Sequence, residues 1–343
     1  MILLALIIGL FVACSGRDQQ QPRTEELVFQ SGSFRVVGDL KLPEERGPHP
    51  VVLFVHGDGP NNRTSGVTYP PIMERMQRAG YATFAWDKPG TGESTGRIDR
   101  SRLVEQRAQI VLDAIALIKD HPDIDAEMIG LWGISQAGYV MPRVLSLSDD
   151  IAFMIAVSCP GEAGADQGVF LLTSQAVCAG LPAEDAEEVE RLINGAGRAQ
   201  TYGEYVRYKT QQAEYPALAE MTLLGFSVEP RPESDWHADD LTGEYFRNPL
   251  EAIEGITIPV LAFFGELDTQ ADPFQGAEAF RALLERAGNP HSRIELIPGA
   301  DHNIILSETG CLTERRRRSR QGWTNYAPQY LDTLEEWLRG LRR

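Results

Sequence analysis

Five short apolar runs recur along the chain, at residues 51–55 (VVLFV), 81–86 (YATFAW), 128–132 (MIGLW), 151–158 (IAFMIAVS) and 259–264 (PVLAFF), with helix-like stretches between most of them. A strand made from such a run has no polar face, so both of its faces must be covered. The intervening segments supply the cover. Residues 73–79 read as a short helix stopped by Gly80, and residues 276–287 as another. Residues 101–119 carry Leu103, Ile110, Val111, Ala114 and Ile118 on one helical face, and the last segment repeats Leu331, Leu334, Leu338 and Leu341 at helical spacing. Residues 25–30 and 33–42, parted by Ser31-Gly32, open the domain as an antiparallel pair, and residues 293–297 supply a late strand. The class is therefore α/β: a mostly parallel central sheet with helices on both faces.

The alternation stops between residues 160 and 249, a stretch rich in Ala, Glu and Gln that reads as several helices. Its natural place is a helical cap over the carboxyl edge of the sheet, where open α/β sheets bind ligands. This divides the chain into a core of residues 24–159 and 250–343 and a cap of residues 160–249. Tyr202, Tyr205 and Tyr208 form a stripe in the cap, and such a stripe is expected to pack rather than to touch ligand.

Chemistry concentrates just after the strands. Gly133-Ile134-Ser135-Gln136-Ala137-Gly138 follows the 128–132 run and precedes a helical stretch. A serine there sits on a tight strand-to-helix turn with its hydroxyl thrust out of the sheet edge. Small residues two positions to either side avoid a clash in the turn, and Ala137 fills the place of the second glycine. The helix that follows points its N-terminus toward developing negative charge. Residues 51–55 lead into His56-Gly57-Asp58-Gly59-Pro60, and residues 81–86 into Asp87-Lys88-Pro89-Gly90-Thr91-Gly92-Glu93-Ser94-Thr95-Gly96.

These ordered motifs resemble the α/β-hydrolase superfamily, nearest to bacterial esterase-like members of the dienelactone hydrolase and serine-aminopeptidase kind. The likeness covers nearly all of residues 25–160 and 250–343. It implies the α/β-hydrolase fold and a triad in the order nucleophile, acid, histidine. Gly265-Glu266-Leu267-Asp268 looks like the acid turn and Pro298-Gly299-Ala300-Asp301-His302 like the histidine loop, which implies Ser135, Asp268 and His302, with Asp272 as the fallback acid. The backbone N–H groups of Asp58 and Gln136 would form the oxyanion hole, His56 would hold the oxyanion loop, and Asp87 and Lys88 would tie loops together. The expected reaction is hydrolysis of a small carboxylic ester through an acyl-enzyme. The same triad also serves peptidases or amidases, thioesterases and acyltransferases, and a non-catalytic binding protein on the same scaffold is the reading from another class.

A formal charge of −17 argues against nucleic acid as a partner. No residue pattern calls for a metal or an organic cofactor, and the sequence does not specify an oligomeric state. Residues 1–13 (MILLALIIGLFVA) are apolar and end at Cys14. A spanning helix needs about 20 such residues, so the run suits a signal peptide. Phe11-Val12-Ala13-Cys14 resembles the lipobox of bacterial lipoproteins, although no Lys or Arg precedes the run. The expectation is a lipidated Cys14, a polar tether over residues 14–23, and a lipid-anchored place in the bacterial cell envelope. Cys159, Cys178 and Cys311 remain and are expected to be three inert, mostly buried thiols, with a Cys178–Cys311 disulfide as the lesser alternative. Arg315-Arg316-Arg317-Arg318, with Arg320 nearby, is expected to be solvated or internally paired rather than to touch anionic lipid.

Overall fold

The computed structural model describes residues 23–237, 247–319 and 325–342. Cys14, almost all of the tether and Arg320 lie outside the described residues. Eight strands form one sheet: β1 (Arg23–Ser31), β2 (Phe34–Leu42), β3 (His49–Val55), β4 (Ala82–Trp86), β5 (Ile124–Ile134), β6 (Phe153–Val157), β7 (Val260–Gly265) and β8 (Arg293–Ile297). They lie in the order β1-β2-β4-β3-β5-β6-β7-β8. β2 runs antiparallel to both β1 and β4, and every later pairing is parallel.

The apolar runs behave as strands buried on both faces. In β3, Val51, Leu53 and Val55 enter one core cluster, while Val52 and Phe54 enter the other. β7 divides in the same way, with Val260, Ala262 and Phe264 on the first side and Leu261 and Phe263 on the second. The helices α2 (Leu103–Lys119), α3 (Ala137–Leu145) and α8 (Pro273–Arg286) cover the first face. The helices α1 (Tyr69–Arg78) and α9 (Pro328–Leu341) cover the second, where the Trp132 indole N–H donates to the Tyr330 hydroxyl at 3.1 Å.

Some boundaries differ from expectation. α1 begins at Tyr69, four residues before 73, because Pro70 and Pro71 occupy first-turn positions that need no backbone donor. α8 begins at Pro273, where the Asp272 carboxylate caps the N–H groups of Phe274 and Gln275. β5 extends back to Ile124.

Between β6 and β7 lie α4 (Gly164–Cys178), α5 (Ala186–Gly197), α6 (Tyr202–Gln212) and the short α7 (Pro216–Ala219). They share a small core of their own around Ala176, Leu181, Val189, Ile193 and Leu218. Tyr202 and Tyr205 pack with Trp236 in an aromatic cluster. No helix among the described residues is long and apolar enough to cross a membrane.

The three-thiol expectation is corrected. Cys178, at the end of α4, is disulfide-bonded to Cys311, 133 residues away. Only a tertiary approach of that span brings the two together, so neighbouring residues carry no sign of it. Cys159 is a buried free thiol, and burial pushes its pKa up to about 12, which leaves it unreactive.

Candidate active site

Ser135 follows directly on β5 and has φ of 56°, left-handed for a non-glycine residue. Such strain persists only where the surroundings over-determine it. Here the Ser135 N–H is held by the Val157 carbonyl of β6 at 2.9 Å, and the next turn closes into α3. The turn tolerates no bulk, since a Cβ on Gly133 would lie 2.6 Å from the Ala137 Cβ.

The acid turn follows β7 and the histidine loop follows β8, so both leave the same edge of the sheet as Ser135. Their backbones pass close enough that a Cβ on Gly265 would meet the Asp301 carbonyl at 2.3 Å, which explains the glycine. The Leu267 N–H bonds to the Ala300 carbonyl at 2.8 Å, joining the two loops. Asp268 and His302 are both buried, and the His302 Nδ1–H donates to Asp268 Oδ2 at 2.7 Å. The other carboxylate oxygen, Oδ1, accepts from the N–H groups of Gln270 and Ala271 at 2.7 and 3.1 Å. Asp272, the fallback acid, is occupied in capping α8. Asp301 props the histidine loop, accepting from the N–H groups of Asn303 and Ile305 around Ile304, whose φ is 58°.

Ser135 and His302 line one cavity of about 230 Å³, together with Asp58, Tyr69, Gln270, Asn303 and Arg315. No hydrogen bond joins the Ser135 hydroxyl to the His302 ring, although both residues line this cavity. A larger cavity of about 580 Å³ lies within the insertion, lined by Tyr205, Lys209 and Trp236, and shares no residue with this one.

The Asp58 and Gln136 side chains are joined, with Gln136 Nε2 donating to Asp58 Oδ1 at 3.2 Å. Gln136 Oε1 in turn accepts from Arg107 Nη1 at 2.6 Å, and Arg107 also donates to the His56 carbonyl. The Asp58 carboxylate is thereby held by Gln136. Among the described residues, neither the Asp58 nor the Gln136 backbone N–H donates to a protein acceptor. Lys88 Nζ donates to the Gly57 and Gly59 carbonyls, both at 2.7 Å, and burial lowers its pKa to about 7. Asp87 accepts from the N–H groups of Arg63 and Glu93 at 2.9 Å each. Sequence reasoning missed Arg107, which sits in no motif, and read Arg315 only as part of the arginine run.

His56 is buried, and its Nε2 lies 2.6 Å from the Trp86 carbonyl, an obligate acceptor, so Nε2 carries the proton. Nδ1 then accepts from the Tyr69 hydroxyl at 2.8 Å. Burial, reinforced by Lys88, lowers the ring's pKa from 6.5 to about 3. Between those values the unfolded ring takes up a proton that the folded ring refuses, so stability falls as the solution is acidified. The expected loss is ~1.4 kcal/mol per pH unit below 6.5, or about 2 kcal/mol at pH 5. Urea midpoints at pH 7 and pH 5 check this. His56→Gln should flatten that difference, and an unchanged slope in the variant would refute the assignment.

One group of metal-ligand type occurs among the described residues: Glu25, His121 and Asp123. Arg23 pairs with both carboxylates, so a cation there would have to displace a guanidinium.

The Alpha/beta hydrolase family model matches residues 52–310. This chain belongs to that family. Its fold is similar to an esterase of Pyrococcus furiosus, with a TM-score of 0.56 at 15% identity over 93% of this chain and 91% of that one. It is also similar to Est1E of Butyrivibrio proteoclasticus, solved with ferulic acid, with a TM-score of 0.53 at 16% identity over 92% and 97% of the two chains. At such identities the likeness is one of fold. Among curated proteins, the thiohydrolase aneE of Aspergillus aculeatus is 27% identical over 145 residues, 42% of this chain. An uncharacterized 31.7 kDa protein of Escherichia coli is 34% identical over 101 residues, 29% of this chain. The matched segments span 44% and 33% of those relatives' own lengths.

Proposed function

We propose that this enzyme hydrolyses small carboxylic esters through an acyl-enzyme formed on Ser135. The observation that carries the reading is the Asp268–His302 hydrogen bond at the wall of a cavity shared with Ser135. Ser135 Oγ attacks the ester carbonyl while its proton passes to His302 Nε2. The carbonyl oxygen takes the negative charge and is met by the free N–H groups of Asp58 and Gln136, each such donor contributing about 3 kcal/mol. Collapse breaks the bond to the alcohol, which leaves with the proton from His302. Water, deprotonated by the same ring, then releases the acid and restores the serine. Asp268 holds the Nδ1–H tautomer throughout.

The helices between β6 and β7 act in this reading as a cap. Gln167 and Gln175 of α4 donate to the carbonyls of Gln270 and Thr269 in the acid turn, and the disulfide fastens α4 to the segment after the histidine loop. The similarity to a thiohydrolase favours thioesters as the second substrate class to assay. Labelling by a fluorophosphonate probe, followed by turnover of short p-nitrophenyl esters against amino-acid anilides, tests the proposal. A protein that resists the probe and cleaves neither substrate is no hydrolase.

We further propose that the enzyme is a lipoprotein of the bacterial envelope, anchored through Cys14. Support comes from the apolar run that ends at Cys14 and from the Cys178–Cys311 disulfide, since such bonds persist in oxidising compartments. Radioactive fatty acid should label the wild type and not Cys14→Ala, and equal labelling would remove the anchor.

A further inference from the structure

Arg315 lies in the arginine run, yet its side chain lines the cavity that holds Ser135 and His302. Arg318 of the same run behaves otherwise and is paired with Glu314 and Asp301. The hydrogen-bond partners of Arg315 are neutral amides. Nη1 donates to Gln270 Oε1 at 3.2 Å. With the Asn303 amide turned to satisfy the donors around it, its oxygen accepts from Arg315 Nε at 3.1 Å and Nη2 at 3.2 Å. Among the described residues no carboxylate forms an ion pair with it, although Asp301 and Asp268 are close enough to be felt. Three of the five N–H groups of the guanidinium are engaged, which leaves one on each terminal nitrogen. Two such N–H groups form the fork that grips a carboxylate through both oxygens.

The rest of the cavity agrees with a polar guest. Asp58, its one carboxylate, belongs to the elbow side through Gln136, whereas Arg315 belongs to the histidine side through Asn303 and Gln270. A guest with one anionic end is thereby given a single orientation, its charge at Arg315 and away from Asp58. The volume of about 230 Å³ admits only a small molecule. A formal charge of −17 repels anions generally, so a guanidinium lining the cavity with no direct carboxylate contact is a local exception.

We infer that Arg315 is a specificity residue that binds a carboxylate of the substrate, so that the preferred esters are small and carry a free carboxylate. This rests on the hydrolase reading above. In acyl transfer the residue makes no bond and moves no proton; it holds the substrate's charged end while Ser135 attacks.

Matched pairs of esters test it. One pair differs on the acyl side, 4-nitrophenyl hydrogen glutarate against 4-nitrophenyl pentanoate. The other differs on the alcohol side, 3-acetoxybenzoate against its methyl ester. The wild type should prefer the carboxylate member of at least one pair. Arg315→Gln should lower kcat/KM for that member by roughly 10- to 100-fold, the worth of a charged hydrogen-bonding contact. The loss should fall on KM, the neutral member should change by no more than about threefold, and Arg315→Lys should recover part of it. Unchanged fluorophosphonate labelling of Arg315→Gln shows that the site is intact. A wild type that prefers the neutral member of both pairs overturns the inference. So does a variant that slows both members alike, since that is the mark of a residue that merely supports the fold. Failure of the wild type to react with fluorophosphonate overturns the hydrolase reading itself, and the inference falls with it.

Discussion

Ser135→Ala and His302→Ala should each lower kcat by ~10⁴-fold or more while leaving the fold in place. Both effects have one chemical origin. Without Oγ no acyl-enzyme forms, and without the ring Oγ keeps its proton and remains a weak nucleophile. The oxyanion donors and substrate binding survive, and these still favour the transition state over water. Neither change should unfold the protein. Ser135 is half-buried, makes no side-chain hydrogen bond among the described residues, and is held at φ 56° by backbone contacts that Ala retains. His302 is buried, so its truncation should cost stability through a small void, of the order of 1–3 kcal/mol, without loss of structure. Steady-state kinetics beside thermal unfolding separate the two effects. Wild-type-like turnover in either variant would end the assignment.

Asp268→Asn should be nearly as damaging, about 10⁴-fold in kcat, although it removes only a charge. The reason is the count of donors around the carboxylate. Oδ2 accepts from the His302 Nδ1–H, and Oδ1 accepts from two backbone N–H groups. An amide has one oxygen and one NH₂, so it cannot accept on both sides. The backbone donors cannot move, which turns the oxygen toward Gln270 and Ala271 and the NH₂ toward the ring. Nδ1 must then accept, the ring proton moves to Nε2, and the nitrogen facing Ser135 can no longer take a proton. The loss should therefore sit in kcat, with KM close to wild type. Asp272→Asn should leave the cap of α8 nearly as strong, since one oxygen accepts both cap bonds and Asn caps about as well as Asp, and should leave catalysis alone. The reverse pattern, with Asp272→Asn inactive and Asp268→Asn active, would transfer the role of acid to Asp272.

Much of the site was legible because the chemistry is local to strand ends. A buried parallel strand announces itself as an apolar run, and the loop at its carboxyl end must lie at the ligand-binding edge of the sheet. Ser135 and Asp268 each sit within a few residues of such a run, as do His56 and Asp87, whereas His302 follows the mixed edge strand β8. Even the glycines obey that logic, since Gly133 and Gly265 stand where backbones turn or cross too closely for a Cβ.

A local window could not supply any property that depends on two distant segments meeting. The Cys178–Cys311 bond closes 133 residues, and nothing around either cysteine marks it. Four consecutive arginines read alike in sequence, because each sees the same neighbours. The fold separates them, sending Arg318 to Glu314 and Asp301 and Arg315 to neutral amides at the rim of the cavity. Likewise, the Asp58 carboxylate beside a developing oxyanion is a problem that the sequence poses, and Gln136 backed by Arg107 answers it only across the assembled site. The succession of strands along the chain and the candidates for the reactive groups could be read from the sequence alone, because periodicity and turn chemistry act over a few residues. Which charged groups line the cavity was decided by the tertiary structure, because an ionised side chain is defined by its surroundings in space and not along the chain.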